Sequence, residues 1–300
     1  MKKIIQLIVL IFISLSCMAQ SNIRLNHYWE NPYYITPAYI NTQYPAVFSM
    51  AGRKQWVTFD GAPTTFIATA NLYSEEMNSQ FGAKIFQDQI GYTSTTNLSL
   101  SYTYAVTLNE TWRLQLGVAG VYQRLSYDAS KIILDNNSDN EAFNNLQPET
   151  SFNTDIGAEL ASRSLRIGVA SQNFASLFNK NNALVNTNFL YGAFRTFTEN
   201  PVDFGVGACG IQYSRMIQTE FNATAYFKTM KDEPDKFQVG AFYRTPGQIG
   251  AIAGVNISKA LSVFYSYEYN TNSIKHHSLG THEIMIVYKL KKGPVCYSCF

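Results

Sequence analysis

Near the end of the sequence Cys296 and Cys299 form a Cys-x-x-Cys spacing, which could be redox-active or supply half of a zinc site. A reactive pair of that kind needs a helix start to lower a thiol pKa, and a zinc site needs two further ligands. No second Cys pair and no helix start accompany them, so a disulfide or two idle thiols is expected in an oxidising compartment. Asp135-Asn136-Asn137-Ser138-Asp139-Asn140-Glu141 places oxygen ligands at alternate positions, as calcium loops do. It lacks the glycine at the sixth position and the later bidentate glutamate, and it reads as a solvated polar loop. His276, His277 and His282 lie close in sequence, but His282 opens a strand-like segment and a metal site is not expected there. Glu75-Glu76 and Asp232-Glu233 fall in turns, where solvated charge normally sits. No nucleophile elbow, phosphate loop or zinc-protease helix occurs. No catalytic, cofactor-binding or metal-ligating residue is therefore assigned, no cofactor is expected, and the chain reads as a non-enzyme.

The charged residues of more interest, Glu220, Glu268, Arg113 and Arg244, are set within strict period-two alternation. Leu98, Leu100, Tyr102, Tyr104 and Val106 alternate with Asn97, Ser99, Ser101 and Thr103. Phe221, Ala223, Ala225 and Phe227 alternate with Glu220, Asn222 and Thr224, and Ile284, Ile286, Tyr288 and Leu290 alternate with Glu283 and Lys289. Successive side chains of a strand point to opposite faces, so each segment has one apolar and one polar face. Strands are expected near 45–59, 63–73, 79–88, 92–106, 111–126, 152–162, 164–172, 188–197, 201–213, 218–229, 235–245, 248–258, 260–270 and 281–290. The connections that are odd in order include all the long ones, 127–151, 173–187 and 271–280, while the even ones are short turns. A soluble β-sandwich has no reason to sort loop length by parity. An outer-membrane barrel does, with its long loops outside and its short turns in the periplasm. The expected fold is an all-β transmembrane antiparallel β-barrel of about 14 strands over residues 45–290, with polar faces and their charges turned to the lumen. Cys209, within an alternating strand, is expected to pack as a small hydrophobe.

Composition agrees. Hydrophobic residues make up 46% and charged residues only 15%, against roughly 25% charged in an ordinary soluble domain. Mean hydropathy is nevertheless −0.12, and beyond the N-terminus no apolar run is long enough for a membrane helix. Twenty Tyr and twenty Phe suit aromatic girdles at membrane interfaces. A net charge of +2 without a basic block gives no sign of nucleic-acid binding. Lys2 and Lys3, an apolar run from Ile4 to Leu15, and small residues at Cys17 and Ala19 read as a signal peptide, residues 1–19, cleaved between Ala19 and Gln20. A lipoprotein reading would acylate Cys17, but Ser14 stands where an aliphatic residue is expected. Residues 20–44, with Pro32 and Pro37, lack alternation and are expected outside the wall, either in the lumen or across the periplasmic mouth. Residues 291–300 follow a Lys-Lys-Gly-Pro break and are expected to form a periplasmic tail.

From about His27 to Leu290 the sequence resembles the PorP/SprF family of outer-membrane proteins associated with the type IX secretion system of Bacteroidetes. The likeness is carried in order by Asn31-Pro32, Pro37-Ala38-Tyr39, Arg53-Lys54-Gln55-Trp56, Phe59-Asp60-Gly61-Ala62-Pro63-Thr64-Thr65, Asp88-Gln89-Ile90-Gly91, Ser266-Tyr267-Glu268-Tyr269 and Gly280-Thr281-His282-Glu283-Ile284-Met285. The resemblance implies a barrel in the outer-membrane lipid that receives or anchors a secreted, adhesin-like surface protein through its C-terminal sorting domain, beside periplasmic secretion components. The alternative function is an outer-membrane pore for a small solute. The motif residues Arg53, Gln55, Trp56, Asp60, Pro63, Asp88, Gly91, His282 and Glu283 are the positions the resemblance singles out, without assigning which of them touches a partner.

Overall fold

A strand that is apolar on one face and polar on the other must put one face in lipid and the other around a shared interior, and a ring of such strands leaves no unpaired edge. The computed structural model describes residues 25–128, 147–178, 185–229, 235–271 and 278–291. Its strands are β1 Ala46–Lys54, β2 Thr64–Ser74, β3 Ser79–Ile90, β4 Thr93–Thr107, β5 Arg113–Tyr127, β6 Glu149–Ala161, β7 Leu165–Gln172, β8 Thr187–Arg195, β9 Val202–Tyr213, β10 Met216–Lys228, β11 Asp235–Arg244, β12 Gln248–Asn256, β13 Leu261–Asn270 and β14 Thr281–Leu290. Each pairs antiparallel with the next, and β1 pairs with β14 from Ala46 opposite Leu290 to Lys54 opposite His282, closing the 14-strand barrel.

The alternation decides which side chain faces where. In β4, Leu98, Leu100, Tyr102 and Tyr104 are exposed on the outer wall, while Ser99, Ser101 and Thr103 are buried inward. Leu100, at mid-strand and 73% exposed, has lipid as its partner. Leu100→Arg is therefore expected to destabilise the barrel by about 2–4 kcal/mol, and Thr64→Arg at the outer rim by about 0–1 kcal/mol. Denaturant unfolding from lipid vesicles reads the difference, and equal costs would mean that Leu100 does not sit at membrane mid-depth.

The first strand is shorter than alternation predicts. It was expected over 45–59 but stops at Lys54, because Trp56 and Thr58 take positive φ values of 47° and 79° and turn the chain out of the sheet. The Gln55 N–H then donates to the Pro63 carbonyl at 2.9 Å, closing the loop into β2. The rim where β1 begins and β14 ends carries the short turns. The opposite rim carries every long connection, including 55–63, 128–148, 173–186 and 271–280. By the general rule for such barrels the first rim is periplasmic and the second extracellular.

The segment before β1 lies inside the barrel, and we refer to residues 25–44 as the strap. Asn26, His27, Thr36, Ala38 and Ile40 have no exposed surface. Apart from a short 3-10 turn at Pro32–Tyr34, the strap has little regular structure to satisfy its own backbone, so inward side chains of the wall do so. Gln115 Oε1 accepts from the Ile40 N–H at 3.1 Å, and Gln80 both accepts from the Asn41 N–H at 3.1 Å and donates to the Tyr39 carbonyl at 2.7 Å. Thr103 Oγ1 donates to the Pro37 carbonyl, and Gln172 Nε2 donates to the carbonyls of Tyr34 and Ile35. Close approach requires glycine in the wall at one point above all: a Cβ on Gly117 of β5 would collide with the Pro37 carbonyl and the Ala38 N–H. Around the strap, Leu25, Tyr28, Tyr34 and Ile35 join Phe189, Ile211, Phe264, Met285 and Val287 of the wall in an apolar cluster. Cys209 packs within it. Burial pushes the Tyr33 hydroxyl up to about 12, and it is hydrogen-bonded to Ser101 Oγ at 2.7 Å.

Candidate functional site

Five buried charges gather in the extracellular half of the lumen, and strand register makes two of their pairs. Arg53 of β1 stands opposite Glu283 of β14, and Glu220 of β10 stands opposite Arg244 of β11. Arg53 Nη1 lies 3.4 Å from Glu283 Oε2, and Arg244 Nε lies 2.6 Å from Glu220 Oε2. Glu268 of β13 links the two, its Oε2 accepting from Arg53 Nη2 and Arg244 Nη1 at 3.1 Å each. None of these side chains is more than 3% exposed. Charges this far from water persist only when paired and hydrogen-bonded on most of their atoms, so the cluster behaves as one unit.

The start of the strap sits at its centre. Asn26 Oδ1 accepts from Arg53 Nη1 at 2.8 Å and from Arg244 Nη2 at 3.0 Å. The Asn26 N–H donates to Glu283 Oε2 at 2.8 Å, and its amide donates to Ser266 Oγ at 3.1 Å. His27 adds its backbone N–H at 3.1 Å and its Nδ1 at 2.8 Å to Glu283 Oε1. The cluster is thus an ionic latch that fixes the strap across the lumen. Further hydrogen bonds from the strap reach Ser49 of β1, Thr69 of β2, Asn222 of β10 and Gln238 of β11.

The motif residues converge on this end of the barrel. Arg53 and Glu283 are in the latch, and Gln55, Trp56, Asp60 and Pro63 belong to the loop above it. That loop is tied to its neighbours, since the Val57 N–H donates to the Gly280 carbonyl and the Gly91 N–H to the Gly61 carbonyl, both at 2.9 Å. Gly61 and Gly91 have φ values of 70° and 58°, the left-handed backbone that glycine adopts without strain. Asp88 is buried and accepts from Thr65 Oγ1 at 2.7 Å. His282 is on the outward side of β14, its Nδ1 2.6 Å from the Tyr265 hydroxyl and its ring 5.2 Å from that of Tyr267. Of the four wall charges expected in the lumen, Glu220, Glu268 and Arg244 meet in the latch, and Arg113, on the same strand face as Gln115, lines the interior at its periplasmic end. Asn26 and His27 carry no signal in periodicity, and their role emerges only from the fold. Ala19, Gln20, Asp135 to Glu141, Asp232, Glu233, His276, His277, Cys296 and Cys299 lie outside the described residues. Among the described residues no three His, Cys, Asp or Glu side chains are grouped to hold a metal ion.

The family described as type IX secretion system membrane protein PorP/SprF matches residues 17–288. No curated protein matches the chain significantly. Among solved structures, the outer membrane protein Omp33 of Acinetobacter baumannii is 9% identical, with 82% of this chain and 98% of that one covered at a TM-score of 0.47. The monoaromatic hydrocarbon channel CymD is 11% identical, with 92% and 95% covered at 0.45. CdiB from Acinetobacter baumannii is 6% identical, with 81% and 60% covered at 0.46.

Proposed function

This chain belongs to the PorP/SprF family of type IX secretion system membrane proteins, and from that premise we propose that it receives or anchors a secreted, adhesin-like surface protein through that protein's C-terminal sorting domain. The barrel resides in the outer membrane, with an apolar outer wall and a polar interior. In this reading it works beside periplasmic components of the secretion machinery and catalyses no reaction.

The observation that carries the reading is the occupied lumen. A solute pore needs a continuous polar path, whereas here the chain's own strap is bonded to strands on every side of the interior. A barrel filled in this way offers partners its rims, and the motif residues gather at the extracellular one. Affinity purification of a tagged copy from its native outer membrane tests the proposal. A large secreted protein with a C-terminal sorting domain is expected to co-purify, and its display at the cell surface is expected to fall when the barrel is deleted. Normal display in the deletion strain would sink the proposal.

A further inference from the structure

At the periplasmic rim a cavity of about 590 Å³ opens between the strap and the wall. Its lining carries four arginines: Arg113 at the start of β5, Arg163 in the turn after β6, Arg166 at the start of β7 and Arg195 at the end of β8. Two carboxylates, Glu30 and Glu110, share the lining, and Glu30 Oε1 accepts from Gln238 Nε2 at 2.6 Å. Two of the arginines are held by the wall. Arg166 Nη1 donates to Glu159 Oε1 at 2.8 Å, and its guanidinium lies 4.8 Å from the Tyr39 ring centre. Arg195 Nη2 donates to both Asp235 oxygens at 2.7 Å and stacks 3.7 Å from the Tyr226 ring centre, leaving its buried Nε without a partner. The other two have no carboxylate partner among the described residues: Arg163 lies over the Phe197 ring at 5.2 Å, and Arg113 is exposed.

We propose that this vestibule is a binding site for an acidic peptide segment presented from the periplasm, with Arg113 and Arg163 taking its carboxylates. Guanidinium groups offer paired N–H donors that match a carboxylate, and ring stacking fixes their planes without using those donors. Recognition of acidic motifs by arginine clusters is a recurring mode, and here aromatic faces beside the charges suit the apolar parts of a peptide. The volume falls within the roughly 300–1,000 Å³ typical of ligand pockets, enough for a few residues. Strap residues Tyr39 to Gln43 form one wall of the cavity, so a ligand entering from the periplasm meets the strap. Lipid is disfavoured because the cavity lies inside the ring of strands. The inference concerns the rim opposite the motif residues and does not depend on which surface protein the barrel serves.

The test uses the full chain refolded in detergent micelles, with titration calorimetry of a hexaglutamate peptide, its hexaglutamine analogue, free glutamate and inorganic phosphate. The comparison variant is Arg113→Gln/Arg163→Gln, whose altered residues hold no wall carboxylate, and heat-modifiable migration checks that it still forms a barrel. Hexaglutamate is expected to bind, to weaken as salt is raised, and to lose about tenfold or more affinity in the double variant, while hexaglutamine does not bind. Equal binding by the folded double variant, or no binding of hexaglutamate, overturns the proposal. Free glutamate or phosphate displacing the peptide at matched charge also overturns it, in favour of a small-anion site.

Discussion

Arg244→Ala is expected to destabilise the barrel by about 3–5 kcal/mol, the cost of leaving buried charge uncompensated. Arg244 contacts Glu220 and Glu268 and donates to Asn26, and all three of these partners are fully buried. Its loss leaves Arg53 as the remaining arginine of the latch, already shared between Glu268 and Glu283. The strap should loosen with the latch, since Asn26 would keep one of its two guanidinium donors. Denaturant unfolding in micelles measures the first effect, and proteolysis within residues 25–44 measures the second. Arg244→Lys should recover part of the charge but not the geometry, because an ammonium cannot reproduce the guanidinium fork. A folded Arg244→Ala protein with unchanged stability and a protected strap would show that the latch does not hold the segment.

Opening the lumen should have the other large effect. Fourteen strands enclose more space than inward side chains fill, and the strap occupies the remainder. Gly117→Leu would drive a side chain into the Pro37 carbonyl and Ala38 N–H, backbone atoms that cannot swing aside as a flexible side-chain end can. The expected outcome in planar bilayers is a change from a closed baseline to persistent conductance, a rise on the order of tenfold or more if the interior becomes water-filled. Deleting residues 25–44 should give the same result if the wall still forms, which heat-modifiable migration establishes. Proteolysis of the strap in Gly117→Leu confirms its release. Unchanged conductance with the strap cleaved would mean that another part of the chain seals the barrel, and persistent conductance in the parent protein would favour the solute-pore reading.

The wall was readable from the sequence because alternation is local: a strand residue's face is set by its parity, whatever lies across the sheet. Leu98 to Val106 and Phe221 to Phe227 could thus be placed before any pairing was known, and loop lengths then gave the orientation. The overshoot of β1 has the same origin in reverse. Alternation continues past Lys54, and only the positive φ values at Trp56 and Thr58 show that the chain has left the sheet. The family motifs named Arg53 and Glu283 without saying that the two stand opposite each other across β1 and β14.

What the sequence determined by itself, then, is a wall of about 14 strands with lipid outside and polar groups inside. What only the tertiary structure decided is how that interior is filled. Asn26 and Glu283 stand 257 positions apart, and Gln172 serves carbonyls 137 and 138 positions before it. Such pairings come from closure of the ring, which brings distant parts of the chain to one interior. They leave no periodic trace, because the strap's backbone is satisfied by side chains of the wall and not by any repeat of its own.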